Sequence, residues 1–237
     1  MMSPEWHEAF RMHSETTGFK ALVRRSHVMI ASAIDDHTLP YVSFSGGKDS
    51  TVTLHLVLSH LPEIMVYHWW TGSRMMPDDL EAEVVANARA MGAVNLRVET
   101  SERYNDPNVS EHDKERLFKS EYLAQAVPRL RREGYDLGFV GIRAEESKKR
   151  AFRIADDGAG WFMDSCYPVG TWTYRDIWAY IVAHNLPYPS TYDLQIPIVG
   201  PKRARFGSFF VAKHAAYGTE SLDGVALWRW KNAPKAR

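Results

Sequence analysis

The sequence predicts an α/β protein of three layers, in which helices cover both faces of a mostly parallel central sheet of about five strands. Two observations predict this fold. Short segments rich in β-branched and aromatic residues alternate with longer helix-like segments, which is typical of parallel sheets. The chain also has 237 residues, 45% of them hydrophobic, and can therefore bury a substantial core.

The predicted elements alternate in a regular order after an N-terminal segment that is predicted to form one or two helices. Strands are predicted within residues 39–45, 63–70, 94–100 and 135–142. Helices are predicted within residues 50–61, 76–92, 111–133 and 171–185.

The helix assignments depend on length and on end preferences. Segment 50–61 fits a strand as well as a helix on periodicity alone, but its length and its position after two glycines favour a helix. Acidic residues begin the next helix and Gly92 closes it. Thr173 is a candidate N-cap of the last predicted helix. Pro128 is expected to disturb the long charged helix that contains it.

The charge is balanced overall but uneven along the chain. The formal net charge is zero, so the overall charge predicts no polyanionic partner. Residues 200–237, however, carry eight basic residues and two acidic ones. A basic extension of this kind can close over an anionic ligand or contact nucleic acid, and a solvated, frayed terminus is the alternative.

The chain contains one cysteine, Cys166. One thiol cannot form an intrachain disulfide, a zinc site of several cysteines or an iron–sulfur cluster with several ligands from one chain, so no iron–sulfur cluster is expected. The N-terminal residues show no signal-peptide pattern, and no apolar run is long enough to span a membrane. We therefore expect a cytoplasmic protein that does not associate with membranes.

The segment SGGKDS leads from the first predicted strand into a helix. It is not a Walker A loop, which has four residues between its glycines. Adjacent Gly46 and Gly47 still permit a sharp turn, and helix amides together with Lys48 form an anion site. Asp49 beside phosphates makes sense if it holds a magnesium ion. Three hydroxyl donors complete the loop: Ser45, Ser50 and Thr51.

Three motifs together carry a resemblance to a known family. They are SGGKDS, then GIRAEESKKR at 141–150, then YPVGTWTYRDIWAYIVAHNLPYPSTYD at 167–193. In this order they resemble segments of phosphoadenosine phosphosulfate (PAPS) reductases and of the small subunit of ATP sulfurylase. Both are N-type ATP pyrophosphatases, also called adenine nucleotide α-hydrolases. The resemblance extends over residues 41–193 and implies a nucleotide-binding domain, which we place at 39–199. It does not cover the two ends, where the residue pattern predicts an N-terminal helical segment at 1–38 and the charge defines a basic extension at 200–237.

The resemblance also implies roles for individual residues. The loop would hold nucleotide phosphates, and the strand end at 67–70 would lie near the adenine. Two arginines would meet a sulfate, a phosphate or a second anionic substrate, since a guanidinium pairs two oxygens at once. The candidate catalytic residues are Lys48, Asp49, Arg143 and Arg150, with Asp49 also the candidate metal ligand. The candidate nucleotide-binding residues are Ser45, Gly46, Gly47, Lys48, Asp49, Ser50, Thr51, Tyr67, His68 and Gly141.

Some of these residues have a simpler interpretation. The segment EESKKR is also typical of a solvated helix, because exposed charge pairs are common and weak. Glu145 and Glu146 are expected to cap a helix, to be solvated or to orient the arginines. The aromatic residues of 172–180 are expected mainly in the core.

One departure from the family concerns its cysteine. PAPS reductases use a cysteine in a C-terminal Glu-Cys-Gly-Leu-His segment, whereas the tail GTESLDGVALWRWKNAPKAR has none. Cys166 is expected to be a small buried hydrophobe. The reductase reaction is therefore not expected.

The leading hypothesis is an enzyme that binds ATP with magnesium and cleaves the bond between the α- and β-phosphates. It would adenylate an oxyanion acceptor, either sulfate or a group on a nucleic-acid base, and release pyrophosphate. Trp228 and Trp230 in the basic extension would suit a nucleic acid. One alternative is a reductase- or transferase-like protein that binds PAPS. Another is a non-catalytic nucleotide-binding subunit with a protein partner. We also expect a homo-oligomer.

Overall fold

The structure is a computed structural model that describes residues 2–73, 76, 78–106, 108–109, 116–156 and 163–206. Eight α-helices and five strands occur in these ranges. The helices are α1 (Pro4–Ser14), α2 (Thr17–Asp35), α3 (Lys48–Leu58), α4 (Asp78–Ala90), α5 (Val127–Arg132), α6 (Lys148–Ala155), α7 (Tyr174–Ala183) and α8 (Thr191–Arg203). The strands are β1 (Pro40–Phe44), β2 (Met65–Trp69), β3 (Leu96–Glu99), β4 (Leu137–Val140) and β5 (Asp164–Cys166).

The five strands form one parallel sheet in the order β3-β2-β1-β4-β5. The chain builds outward from β1 through β2 to β3, then returns to place β4 on the other side of β1. Ser43 of β1 pairs with Val140 of β4, so the loops that follow these two strands leave the same edge side by side. In doubly wound sheets this reversal creates the crevice in which ligands bind.

Helices cover both faces of the sheet, which confirms the predicted three-layer fold. One face carries Val42, Phe44 and Val66 into the main core, where they meet residues of α1–α4, α7 and α8. The other face carries Tyr41, Met65 and Tyr67 against Ala126 and Leu130 of the helix that ends in α5. Alternate residues of one strand point to opposite faces, so the two cores share the same strands.

The predicted elements occur in the predicted order, with three differences. The long charged helix contains a π-helix at Phe118–Ala126, directly before α5. Pro128 lacks an N–H, and its ring clashes with the carbonyl four residues earlier in a regular α-helix, so wider turns upstream relieve both problems. The sequence pattern identified neither β5, which has three residues, nor α8.

Local end signals agree with the structure. Thr173 caps α7, with its hydroxyl accepting from the Asp176 amide while the Asp176 carboxylate accepts from the Thr173 amide. Gly92 ends the segment after α4 with φ +97°. No helix among the described residues has the length and apolar character needed to cross a membrane. Trp228 and Trp230 lie outside the described residues.

Candidate functional site

The loop that follows β1 is shaped by glycines and serine hydroxyls. Gly46 has φ +78°, and a Cβ there would lie 2.7 Å from Cγ1 of Val84 on α4, so the position requires glycine. The Ser45 and Ser50 hydroxyls lie 3.1 Å apart, and Ser50 also donates to the Gly47 carbonyl at 2.9 Å. These bonds define one loop conformation at the carboxyl end of the sheet.

Helix α3 begins directly at this loop. Gly47 is its N-cap residue and offers no side-chain acceptor to the first amides. Amides of the first turn that receive no bond from the N-cap residue, together with the helix dipole, favour a bound anion.

Gly141 brings the end of β4 against the start of α3. A Cβ on Gly141 would lie 2.6 Å from both the Cα and the amide nitrogen of Ser50. Backbone atoms cannot move away as a flexible side chain can, so this contact requires glycine. It places the segment 141–150 beside the loop, as the two neighbouring strands predict.

Lys48 is almost fully buried, with 3% of its surface exposed. Its amide donates to the Tyr192 hydroxyl at 2.9 Å, and its Nζ donates to the Ala204 carbonyl at 3.1 Å. Burial lowers the pKa of the Lys48 ammonium, and the Asp49 carboxylate offsets this only in part. Three arginines lower the same pKa further: Arg143, Arg205 and Arg150.

Asp49 and Arg143 form a buried ion pair behind the loop. Arg143 Nε donates to Asp49 Oδ1 at 2.8 Å, and both residues are less than 9% exposed. Arg143 also donates to Glu145, whose carboxylate accepts from the Tyr174 amide at the start of α7 at 2.7 Å. Arg143 therefore connects the loop to a neighbouring helix and fixes the direction of the Asp49 carboxylate.

Arg150 lies at the start of α6 and pairs with Glu146 one turn earlier. Its side chain is 43% exposed. Burial is the main cause that lowers the pKa of Arg150, and the positive charges of Arg205 and Arg143 act in the same direction. Glu146 thus orients an arginine, as the sequence suggested for the two glutamates.

A cavity of about 240 Å³ opens where these elements meet. Its position at the ends of β1 and β4 is the one expected for a ligand of this fold. Arg143 is not among the lining residues, which are Ser45, Gly47, Lys48, Asp49, Ser50, Gly141, Glu146, Arg150, Tyr192, Arg205 and Phe206.

Sequence reasoning missed three of the lining residues, Tyr192, Arg205 and Phe206. Tyr192 lies in the third motif, but nothing in its spacing assigned it a role. Burial raises the pKa of Tyr192, so its hydroxyl stays protonated. The other two follow α8 and were included only in the basic extension. The positive charge of that extension indicated an anionic ligand. Arg205 and Phe206 lie over 150 residues from the loop along the chain, however, so no sequence pattern predicted their contact with it.

Residues 39–203 match the family model of the phosphoadenosine phosphosulfate reductase domain. That range is well over half of the chain. The chain belongs to the phosphoadenosine phosphosulfate reductase domain family.

Relatives with two different names resemble the chain. "Sulfate adenylyltransferase subunit 2" of Maricaulis maris is 29% identical over 217 residues, covering 76% of this chain and 69% of that protein. "Adenosine 5'-phosphosulfate reductase" of Neisseria meningitidis is 35% identical over 86 residues, covering 36% of this chain and 33% of that protein.

A solved structure shares the fold. The U34-tRNA thiolase NcsA from Methanococcus maripaludis, with its 4Fe–4S cluster, matches with a TM-score of 0.52 at 13% identity. The match covers 90% of this chain and 79% of that one. At this identity the likeness shows the fold alone.

Within this family fold, Cys166 lies in β5, beside Phe139 of β4, and is 8% exposed. Burial raises the pKa of its thiol to about 12. At neutral pH the side chain is therefore a thiol rather than the nucleophilic thiolate. This is the small buried hydrophobe that the sequence predicts.

Four predicted nucleotide-binding residues do not line the cavity: Gly46, Thr51, Tyr67 and His68. Thr51 is buried within α3. The Tyr67 hydroxyl donates to Glu99 at 2.6 Å on the other face of the sheet. His68 donates through Nδ1 to the Phe44 carbonyl at 2.7 Å, and its Nε2 lies 2.8 Å from Oε1 of Glu81. Their roles toward a nucleotide remain predictions.

The carboxylates of the cavity can be compared with the needs of a magnesium ion. Among the described residues, no three His, Cys, Asp or Glu side chains are grouped so as to hold a metal. Asp49 and Glu146 do line the cavity. Magnesium bound to a nucleotide needs only one or two carboxylates, because phosphates and waters complete its coordination. Asp49 Oδ2, 4.0 Å from Lys48 Nζ, fits that requirement.

Proposed function

We propose that this chain binds ATP with magnesium in the cavity and transfers the adenylyl group to an oxyanion acceptor, with sulfate as the first candidate. An acceptor oxygen bonds to the α-phosphorus, the bond from that phosphorus to the α–β bridging oxygen breaks, and pyrophosphate leaves. One observation carries the proposal: the start of α3, Lys48 and Arg150 converge on one cavity at the sheet edge.

The residues of the cavity would act mainly by positioning and by charge. The amides that begin α3 and the Lys48 ammonium would hold the departing pyrophosphate, where negative charge develops. Arg150 would pair with oxygens of the nucleotide or of the acceptor. Arg143 would act indirectly, because it holds Asp49 in place. Magnesium, when bound at Asp49 with the phosphates, would supply further neutralisation of charge.

The relatives support this reaction more than a reduction. A protein named sulfate adenylyltransferase subunit 2 aligns over most of the chain, whereas the reductase aligns over about a third of it. The raised pKa of Cys166 also disfavours thiolate chemistry at that residue. The word subunit in the first name suggests that this chain, too, works with a protein partner. Cytoplasmic location and a homo-oligomeric state remain predictions.

The first test is a product assay with the purified protein. ATP–Mg is offered with and without sulfate, and PAPS is offered separately with a thiol donor. Pyrophosphate and adenylyl sulfate from ATP are expected. Sulfite and adenosine bisphosphate from PAPS would overturn the proposal in favour of the reductase alternative. Nucleotide binding without either product would support the non-catalytic alternative.

Two substitutions sharpen this test. Lys48→Met removes the buried ammonium and should lower turnover at least 100-fold, a typical effect of losing one electrostatic donor. Lys149→Met is the matched control, because Lys149 is exposed and does not line the cavity. Cys166→Ala should leave adenylyl transfer unchanged. Loss of activity in that variant, with folding intact by circular dichroism, would return the thiol to the mechanism.

A further inference from the structure

The chain that follows α8 is held against the loop by its backbone. Gln195, 4% exposed on α8, donates through Nε2 to the Arg205 carbonyl and accepts through Oε1 from the Arg205 amide, both at 2.7 Å. Lys48 Nζ donates to the Ala204 carbonyl, as described above. The backbone of residues 204–205 is therefore positioned without using the Arg205 guanidinium.

That guanidinium differs from those of the other two arginines at the site. Arg143 is paired with Asp49 and Glu145, and Arg150 is paired with Glu146. Arg205 lines the cavity, is exposed, and has no carboxylate partner among the residues that the structure describes.

The charges at the cavity indicate what kind of ligand it would bind. The positive charge of Arg205 contributes to lowering the pKa of both Lys48 and Arg150, so three cationic side chains lie close together. The two carboxylates that line the cavity have basic neighbours already. Crowded positive charges are unfavourable unless an anion of several charges binds between them.

We propose that Arg205 is an anion-binding residue that contacts the polyphosphate chain of the nucleotide from the wall formed by residues 204–206. Gln195 holds the backbone of Arg205 through the two hydrogen bonds described above. This inference deepens the proposed function, on which it rests, by assigning to the site a residue outside the three motifs. The planar guanidinium would pair two phosphate oxygens, and Lys48 would hold the same group from the loop.

The test is binding of inorganic pyrophosphate and of ATP–Mg to the full-length protein, measured by titration calorimetry. Arg205→Gln should weaken pyrophosphate binding about tenfold or more, the usual range for a lost hydrogen bond to a charged group. Arg205→Lys should recover only part of the affinity, because it keeps the charge but not the bidentate geometry. Arg203→Gln is the matched control, since Arg203 is exposed two residues away and does not line the cavity.

The outcomes separate this inference from the proposed function. Equal affinities for wild type and Arg205→Gln, or equal losses in Arg205→Gln and Arg203→Gln, would overturn the role of Arg205 whatever the reaction is. Loss of pyrophosphate binding in Arg205→Gln, in a protein that makes no product from ATP, would support Arg205 and contradict adenylyl transfer. A wild-type protein that binds neither probe would overturn both.

Discussion

At the scale of single residues, the site depends on charges that are buried and compensated. Asp49 accepts from Arg143, and Arg143 is itself 2% exposed. Taking two charges out of water is costly, and their mutual attraction repays the cost only while both are present. The pair is therefore expected to matter for folding as well as for orientation of the Asp49 carboxylate.

Replacing Arg143 tests this directly. Arg143→Gln leaves the Asp49 carboxylate buried without its partner and should destabilise the protein by about 3 kcal/mol or more. Arg150→Gln breaks a pair whose arginine is 43% exposed, and should cost at most about 1 kcal/mol. Urea unfolding of both variants measures the difference. Recovery of stability in Arg143→Gln with Asp49→Asn would confirm the coupling, and equal effects of the two single variants would contradict it.

At the scale of elements, the site exists because two strand ends meet one helix start. Gly141 after β4 lies directly against the Ser50 backbone of α3. Two helices, α2 and α7, meet α3 in a different way, through histidines rather than through a glycine contact. These two junctions give predictions of different kinds.

The glycine contact predicts that one added methyl group destabilises the protein at position 141 but not at position 18. Gly141→Ala places a Cβ 2.6 Å from backbone atoms and should destabilise the protein by about 1–3 kcal/mol while weakening anion binding, since α3 must shift. Gly18→Ala is the control, because nothing lies within 4 Å of its Cβ position in α2. That change should be neutral or stabilising by up to about 1 kcal/mol. Equal melting temperatures for the two variants would contradict the close packing.

Four histidines join α2, α3 and the end of α7. His27 Nδ1 lies 2.8 Å from His60 Nε2, and the rings of His55 and His184 are 5.1 Å apart. Burial is the main cause that lowers the pKa of three of them: His27, His55 and His184. The charged groups that contribute are other histidines of the cluster, with no carboxylate among them.

This cluster predicts loss of stability on acidification. The folded-state pKa of His27, His55 and His184 lies below the unfolded value of about 6.5, so below that pH the unfolded chain binds more protons. Stability should therefore be full above pH 6.5 and fall as the pH drops below it. His27→Gln should reduce the loss of stability between pH 7.5 and 5.5. His7→Gln, on an exposed residue of α1, should retain the wild-type profile. Identical profiles for all three proteins would contradict the prediction.

At the scale of the whole molecule, the N-terminal helices belong to the same core as the sheet. Phe10 of α1 is 2% exposed and lies in the main core, with its ring stacked on Trp178 of α7 at 6.4 Å. His13 of α1 also lies 2.7 Å from the Asp176 carboxylate. The division of the chain at residue 38 remains a prediction, but α1 shares buried contacts across it.

A core substitution in α1 tests whether the molecule unfolds as one unit. Phe10→Ala should lower stability by about 3 kcal/mol and keep a single unfolding transition, because its cavity opens in the shared core. Met12→Ala, at a residue of α1 that is 62% exposed, should have little effect on stability. A separate early transition in Phe10→Ala, with the main transition unchanged, would contradict one cooperative core.

Much of the molecule could be predicted from local signals. The order of strands and helices follows from alternating patterns, and the SGGKDS loop indicated the candidate anion site because strand, glycines and helix start are contiguous. Thr173 begins α7 as its N-cap and Gly92 follows the end of α4, as their chemistry requires. The short strand β5 carries three residues, too few for a periodic signal, and α8 contains Pro197 and Pro201, which argue against a helix.

The sequence by itself determined the fold class, the phosphate-type loop and the family motifs, because each depends on residues that are neighbours along the chain. Only the tertiary structure decided which charges face the cavity. It turned Arg143 away from the lining and toward Asp49, buried Lys48, and brought Arg205 and Tyr192 to the loop across more than 140 residues. Such contacts arise beside the point where the order of strand addition reverses, and no local pattern encodes that meeting point.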